Sequence, residues 1–508
     1  MSLRRILKML AAFFTGQGVS IIGQLLVPPF FLSCYPKGLE VYGEWITLSA
    51  AVTYFGTLNY GIQTYANNQM TILYNRGEVG AAKSVQASAL RVLLLIIGLL
   101  GVGSAGVLLM PVGRWLSLTR VSSHAASLTV YLLTLNFLIN MMLALLVSSY
   151  MAIGRMHRGA NWLSFQRLAS TLAIVTCVWS QYSFPILALA QLVCVIVFTL
   201  LVFIDVRRTV PSLLPSLRYG SWKEAGTILK PSAHFGLLAL SGFLIWQAPV
   251  LLIQKLLGPA SVSVFSLART VFSMGRQGLA ILSFSIGPEI TLLTGQRKWP
   301  QLMRLYDLSE RVVLLMVPIV SVGLLLLSQF LFAVWLHKRN LYDPLLCFMM
   351  ALISAVMGIK EHKYQFQSSS NEHESLSKFM LGVYAIMLLV SAFLLRSFGI
   401  FGFMLMWLTA EIAQTIYILR LNVRLFPPGM KISMAPVLRL IAVLVVAFGI
   451  AAWPAFASVQ WPLAIVVAVA ISVTLLVSLG SYYAFELDDV RSLLLSRIKQ
   501  RFAPPPIA

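Results

Sequence analysis

The sequence predicts an all-α membrane protein that crosses the bilayer about fourteen times. Only 11% of its 508 residues are charged and 59% are hydrophobic, whereas a soluble chain is typically about 25% charged. Long apolar runs follow one another along the whole chain, and most exceed the roughly 20 residues that a helix needs to cross a bilayer. The runs lack the strict alternation of a lipid-facing barrel strand, so the spans are predicted to be helices.

The predicted spans divide the chain into two six-helix lobes and a C-terminal pair. The lobes are 1–204 and 231–422, a cytoplasmic linker at 205–230 joins them, and two additional spans occupy 437–485 ahead of a cytoplasmic tail at 486–508. No connection is long enough to form a separate domain outside the membrane. The fourteen spans are placed at 9–33, 42–68, 87–110, 127–151, 163–181, 184–204, 231–256, 261–293, 311–336, 344–368, 378–396, 399–421, 437–456 and 462–485.

A weak internal repeat supports the two lobes. Pro29 lies nine residues before Gly38 in "VPPFFLSCYPKGLEVYGEW", and Pro249 lies nine residues before Gly258 in "QAPVLLIQKLLGPASVSVF". The same proline and glycine therefore recur 220 residues further along the chain. Chance recurrence of common loop residues is the alternative. In transporters that carry such repeats, the substrate site lies between the halves.

The positive charge of the chain predicts its orientation. The formal net charge is +22, from 38 Lys and Arg against 16 Asp and Glu. Of these 38, 29 fall on the side of the N-terminus, seven fall on the opposite side, and Arg269 and Arg276 lie inside a span. An excess of Lys and Arg marks the cytoplasmic side, so both termini are predicted to be cytoplasmic. The N-terminal run "MSLRRILKMLAAFF" is interpreted as the start of the first span because no cleavage site follows it.

The sequence shows no motif for nucleic acid, metal, cofactor or nucleotide. The four cysteines and six histidines do not form a metal-binding spacing. No phosphate-binding loop of the form G-x-x-x-x-G-K-[ST] is present. No cofactor or nucleic-acid partner is therefore predicted, and transport would draw on an ion gradient or on consumption of the product outside.

Two arginines occupy an apolar segment, "SVFSLARTVFSMGRQGLAILSFSIGPEI". A charge at the centre of a span costs about 2.5–3.5 kcal/mol on insertion scales, so two lipid-facing arginines are disfavoured. Arg269, Ser273 and Arg276 recur at i, i+4 and i+7 and share one helical face. This stripe is predicted to line a passage and to bind a diphosphate, because guanidinium groups bind such anions bidentately. The alternative is that the arginines brace the bundle through backbone carbonyls or Glu411.

Other polar residues inside spans are candidates for binding or coupling. Glu411 is interpreted either as the partner of an arginine or as the group that binds the coupling proton. Lys360 and Lys363 share a face and line the cytoplasmic half of the passage if their helix continues to Gln367, but they are ordinary loop charges if it ends at Ile359. The candidates for substrate contact through side-chain amides are Asn59, Gln63, Asn67, Gln24 and Gln247, although interhelical hydrogen bonding accounts for them equally well.

Three stretches resemble one known family: "YGEWITLSAAVTYFGTLNYGIQTYANNQM", "SIGPEITLLTGQRKWPQLMRLYDLSERV" and "GFMLMWLTAEIAQTIYILR". The chain resembles the Wzx-type flippases of bacterial O-antigen and capsule synthesis. This resemblance implies the fold of the multidrug/oligosaccharidyl-lipid/polysaccharide (MOP) exporters and a place in the bacterial inner membrane. It also implies a polyprenyl-diphosphate-linked oligosaccharide as substrate, with membrane lipids and polysaccharide polymerase machinery as partners.

Related functions remain as alternatives. Lipid II flippases carry an Arg-Asp pair in the first span, where this chain has only Gln17 and Gln24. Multidrug exporters often carry an acidic residue in that span, and none lies between Met9 and Ser33. A membrane polymerase or ligase uses a large external loop with catalytic charges, whereas the predicted external loops here are short. The chain is therefore not expected to be an enzyme.

Overall fold

The structure is a computed structural model that describes residues 3–370 and 374–485. Side chains are described except at 3–14, 54–65, 227–235 and a few single positions. The predicted tail at 486–508 and the side chains of Asn59 and Gln63 therefore lie outside the described residues.

The described chain is helical almost throughout, and none of these residues lies in a strand. The predicted all-α fold is confirmed. The helices are α1 Leu3–Cys34, α2 Gly38–Asn75, α3 Val79–Ala105, α4 Val112–Trp115, α5 Ser123–Ala152, α6 Met156–Trp179, α7 Phe184–Thr209, α8 Trp222–Trp246, α9 Ala248–Leu257, α10 Pro259–Ser285, α11 Gly287–Gly295, α12 Trp299–Trp335, α13 Pro344–Ser369, α14 Glu374–Leu425, α15 Ala435–Ala457 and α16 Leu463–Phe485.

Each of the fourteen predicted spans falls on these helices. Within the described residues, ten helical segments are long and apolar enough to cross a membrane, as expected of a multi-pass membrane protein. One of them, α14, contains two predicted spans, which meet at Gly399. Gly399 has φ 56° and ψ −150°, a backbone conformation that is essentially open only to glycine, and it interrupts the helix there. The spans predicted at 42–68, 163–181 and 261–293 correspond to α2, α6 and α10–α11.

The described helices extend further than the predicted spans around the linker. The linker is predicted at 205–230, but α7 continues to Thr209 and α8 begins at Trp222. The start of α8 is fixed by Ser221, whose side chain accepts a hydrogen bond from the backbone N–H of Glu224. This Ser-x-x-Glu pattern is typical of a helix N-terminus, so the early start has a sequence signal.

The chain forms two compact units, and unit 1 comprises Met1–Ser266 and Met380–Gly399. In unit 1, α1 packs along α6, α5 packs along α7, and α2 contacts α3, α5, α8 and α9. Gly43 on α2 is required by a close approach, because an added Cβ would lie 1.9 Å from the carbonyl oxygen of Pro259. The next residue but one, Trp45, is buried and makes an edge contact with Phe184. The "YGEW" stretch therefore has a packing role.

Unit 2 comprises Leu267–Phe379 and Ile400–Ala508, and α12 is its central helix. α12 packs against α13, α15 and α16, and α11 packs against α12 and α13. One buried hydrophobic cluster of unit 2 contains Tyr306, Phe366 and Phe426 among its members. The ring of Tyr306 makes edge contacts with both phenylalanines. This aromatic core fixes α12 and α13 beside the charged residues described below.

Candidate functional site

The arginine stripe lies on the accessible face of α10. Arg269, Ser273 and Arg276 are each partly exposed, whereas Val271 is buried on the other side of the helix. The helical periodicity of the sequence thus places the three polar residues on one partly exposed face. The hydroxyl of Ser273 donates to the carbonyl oxygen of Thr270 at 2.9 Å, so part of its hydrogen-bonding capacity is used within the helix.

The opposite face of α10 is held tightly against α12. A Cβ added at Gly275 would lie 2.3 Å from a terminal methyl of Leu324 and 2.8 Å from a methyl of Val320. Glycine therefore allows a close helix–helix approach at this level. Because Gly275 precedes Arg276 directly, this contact sets the depth and direction of the arginine.

The described ion-pair partner of Arg276 is Glu361 of α13. The bracing alternative in the sequence analysis named Glu411 instead. Glu361 was not singled out from the sequence, although it lies inside the predicted span 344–368. The charges of Lys360 and Glu411 also act on Glu361, so the arginine belongs to a larger charged cluster.

α13 continues through the charged run and ends at Ser369. The possibility that this helix stops at Ile359 is therefore excluded. Lys360, Glu361, His362 and Lys363 are consecutive, and each residue of a helix is rotated by about 100° from the last. Their side chains consequently point all around α13, and each meets a different partner. His362 is buried and lies 2.8 Å from the hydroxyl of Ser309 on α12.

Lys360 is paired with Glu411 of α14. The ammonium of Lys360 also donates to the side-chain oxygen of Gln414 at 3.2 Å. The indole N–H of Trp407 donates to the other carboxylate oxygen of Glu411, also at 3.2 Å. Lys360 is therefore buried, and a carboxylate and an amide bind its ammonium group, while its contact with a substrate stays a prediction.

Lys363 is paired with Glu310 of α12. Its ammonium donates to the phenol oxygen of Tyr306 at 2.6 Å and lies 4.1 Å from the centre of that ring. Asn422 donates to the backbone carbonyl of Lys363 at 3.2 Å, and Gln367 donates to Asn422 at 2.7 Å. This polar network, like the pair of Lys360 and Glu411, lies inside the helix bundle of unit 2.

The three ion pairs differ in exposure. We call Lys360–Glu411 and Lys363–Glu310 the sealed pairs, since their side chains are at most 6% exposed. We call Arg276–Glu361 the open pair, because its side chains are 22% and 16% exposed. With three cations and three carboxylates, these six residues are formally neutral, which reduces the cost of placing them inside spans.

The remaining predicted contact residues with described side chains lie in unit 1. Gln24 on α1 donates to the hydroxyl of Ser20 at 3.4 Å. Asn67 on α2 is partly exposed. Gln247 occupies the break between α8 and α9, where Pro249 follows in the first turn of α9. Within unit 2, the structure brings together Arg276, Lys360, Lys363 and Glu411.

Sequence analysis missed the two carboxylates that pair with Arg276 and Lys363. Glu361 stands in a run of alternating charge, "KEHK", and such a run inside a predicted span is itself a signal of paired charges. Glu310 was missed because the predicted span began one residue later, at 311. Among the described residues, no group of three or more His, Cys, Asp or Glu could hold a metal ion.

Comparisons with known proteins identify the fold. No protein-family model and no curated protein matches the chain. A solved structure of the lipid II flippase MurJ in an inward closed conformation is similar with a TM-score of 0.67 and 13% identity. This similarity covers 94% of this chain and 99% of that one.

Two further solved structures support the same assignment. An inward-facing multidrug resistance MATE family transporter of the MOP superfamily has a TM-score of 0.60 and 12% identity, covering 80% of this chain and 94% of that one. A MOP superfamily transporter from Pyrococcus furiosus has a TM-score of 0.58 and 12% identity, covering 83% and 95%. The chain described here therefore has the fold shared by the lipid II flippase MurJ and the transporters of the MOP superfamily.

Proposed function

We propose that the chain is a flippase that moves a polyprenyl-diphosphate-linked oligosaccharide from the cytoplasmic to the periplasmic leaflet of the bacterial inner membrane. The observation that carries this proposal is the open pair, which places the permanent cation of Arg276 at a partly exposed position in α10, a helix that the sequence predicts to span the membrane. A charge held there despite its insertion cost indicates function. The shared fold with proteins named as flippases and transporters supports movement of a substrate rather than catalysis.

The chemistry of Arg276 suits the diphosphate of such a substrate. A guanidinium group is planar, stays charged at any physiological pH, and forms two parallel hydrogen bonds to phosphate oxygens. Arg269 lies two helical turns before Arg276 on the same accessible face, with Ser273 between them. The stripe thus offers two cations to two phosphoryl groups. The amides of α1, α2 and the α8–α9 break are the candidates for contact with sugar hydroxyls.

Glu411 is the candidate for ion coupling in this proposal. Its carboxylate lies within a predicted span and is paired with Lys360. Protonation of the carboxylate would remove its charge and weaken this pair, so a proton gradient could act on the contact between α13 and α14. The transported substrate would then be taken by polysaccharide polymerase machinery in the outer leaflet.

A lipid II flippase is the second candidate. The observation in its favour is the coverage of nearly the full length of both chains in the comparison with MurJ. Both candidates require a diphosphate site, so the stripe does not separate them. The first span does, because Gln17 and Gln24 stand where an Arg-Asp pair is expected of lipid II flippases.

The leaflet location of lipid-linked sugar tests the proposal. Cells that lack the protein should accumulate single undecaprenyl-diphosphate-linked repeat units that face the cytoplasm. Loss of a polymerase or ligase leaves such units facing the periplasm instead. Accumulation of lipid II, with normal export of surface polysaccharide, would support the second candidate and contradict the first.

A further inference from the structure

The carboxylate of the open pair is held more loosely than that of Glu411. One oxygen of Glu361 accepts from Arg276, while Oε2 is buried and has no hydrogen-bond partner among the described residues. Glu411 accepts from Lys360 through one oxygen and from Trp407 through the other. Buried carboxylates are usually satisfied at both oxygens. Fewer described hydrogen bonds therefore hold Glu361 in place than hold Glu411.

The same pair is the one that an outside anion can reach. The side chains of Arg276 and Glu361 are both partly exposed, whereas the sealed pairs are closed to solvent. Because Arg276 cannot lose its charge, it needs an anion beside it whether or not a substrate is bound. A carboxylate and a diphosphate present the same kind of anionic oxygen to the guanidinium donors.

We propose that Glu361 stands in for the substrate diphosphate. It neutralises Arg276 while the site is empty, and the diphosphate displaces it when the substrate binds. This inference rests on the function proposed above and names the group that regulates its anion site. The exchange replaces one anion by another on Arg276 and forms no covalent bond. The displaced carboxylate stays within the field of Lys360, which also acts on Glu361, so it is not left without a nearby cation.

This exchange would set both selectivity and release. A tethered carboxylate is present at a high effective concentration, so only an anion that offers more than one charge displaces it readily. A diphosphate meets this condition, and a single chloride or acetate ion does not. When the substrate leaves, Glu361 returns to Arg276 and prevents the diphosphate from being trapped.

Binding of undecaprenyl diphosphate to the purified full-length protein tests the inference. Glutamine in place of Glu361 keeps the size of the side chain and one acceptor oxygen but removes the competing charge. We expect the Glu361→Gln variant to bind the probe about tenfold more tightly than the wild type, a change that corresponds to about 1.4 kcal/mol. If this variant is unstable, Glu361→Asp, which retracts the carboxylate by one methylene group, should tighten binding by a smaller factor.

Two control variants make the result specific. Glu40→Gln removes a carboxylate from an ion pair in unit 1, at little expected cost in stability, and should not tighten binding of the probe. In the double variant Arg276→Gln/Glu361→Gln, binding should be as weak as in Arg276→Gln alone, because the gain requires the guanidinium.

The outcomes separate this inference from the proposed function. If the wild type binds the probe and Glu361→Gln binds it equally or more weakly, the inference is overturned while the diphosphate site stands. If the wild type does not bind undecaprenyl diphosphate at all, the proposed diphosphate site is wrong, and the inference that rests on it is wrong as well. An equal gain in affinity for Glu40→Gln would also overturn it, because the effect would then reflect overall charge.

Discussion

Glu44 in unit 1 and three carboxylates in unit 2 bind different kinds of partner. In unit 1, Glu44 in the second turn of α2 is fully buried and accepts hydrogen bonds from the backbone N–H groups of Thr119, Arg120 and Val121. In unit 2, Glu310, Glu361 and Glu411 are each paired with a Lys or Arg side chain on another helix. Backbone donors are fixed by the fold, whereas a side-chain cation can change its partner.

This difference separates a structural use of charge from one that permits exchange. Glu44 holds the loop before α5 against α2. In the same unit, Asp205 on α7 accepts from Tyr150 of α5 and from Arg158 and Trp162 of α6, so that a side-chain cation also serves a structural contact. Near Glu44, the exposed Glu40 binds Arg120, and the hydrogen bond from that guanidinium lowers the pKa of Glu40. In unit 2 the ion pairs differ in exposure, since the sealed pairs are buried and the open pair is partly exposed. We expect the sealed pairs to stabilise the bundle and the open pair to be the one that the proposed exchange uses.

The largest expected effect comes from breaking a sealed pair. Lys363→Met should destabilise the protein by about 3–5 kcal/mol, because Glu310 would remain buried without its cation. The double variant Lys363→Met/Glu310→Leu should recover most of the loss, since apolar residues of similar volume often replace a buried pair at little cost. Thermal unfolding in detergent compares the three proteins. If Lys363→Met is as stable as the wild type, the pair does not stabilise the helix bundle and the assignment is wrong.

Removal of the loop-binding carboxylate should have the next largest effect. Glu44→Ala leaves the N–H groups of 119–121 without their acceptor, at a cost of about 1–3 kcal/mol for each buried donor that water does not reach. Hydrogen exchange at Thr119, Arg120 and Val121 should accelerate in this variant while exchange in α12 and α13 stays unchanged. Equal acceleration in both units would show that Glu44 acts on the whole fold and not on this loop.

A methyl group at the contact of α10 and α12 should have a smaller effect. Gly275→Ala is expected to destabilise the protein by about 1–2 kcal/mol, because Val320 is branched and yields little, whereas the end of Leu324 can move. Gly278→Ala is the matched control on the same helix, since no atom lies within 4 Å of its added Cβ. The control should be neutral or slightly stabilising. Thermal unfolding of both variants gives the comparison, and equal destabilisation would refute the close contact.

The exposed pair of unit 1 should have the smallest effect. Glu40→Gln removes the ion pair with Arg120, but exposed pairs of this kind contribute little to stability. Its melting temperature should match that of the wild type within the error of the measurement, in contrast to Glu44→Ala in the same helix. A large loss for Glu40→Gln would mean that the exposed contact, and not the buried carboxylate, fastens the loop.

The sequence predicted helices well and partners poorly. Apolar runs and their length determine where a span lies, so even α14 was resolved into two spans on either side of the glycine break. The face of Arg269, Ser273 and Arg276 was equally predictable, because helical spacing alone decides which residues share it. The ion-pair partners were not predictable, since they depend on which helices are neighbours in unit 2. The charged run on α13 predicts lysines that contact a substrate, whereas in the structure Lys363 is paired with Glu310.

Export by Arg276 variants, measured together with the amount of protein in the membrane, tests the central claim most directly. Arg276→Ala should insert at the level of the wild type and reduce glycan export at least about tenfold, because the anion site loses its cation. Arg276→Lys should retain part of the export, since lysine keeps the charge but lacks the planar fork. Normal export from abundant Arg276→Ala protein would contradict the account. A loss of protein level equal to that of Glu361→Ala would instead show that the arginine braces the bundle through its pair with Glu361.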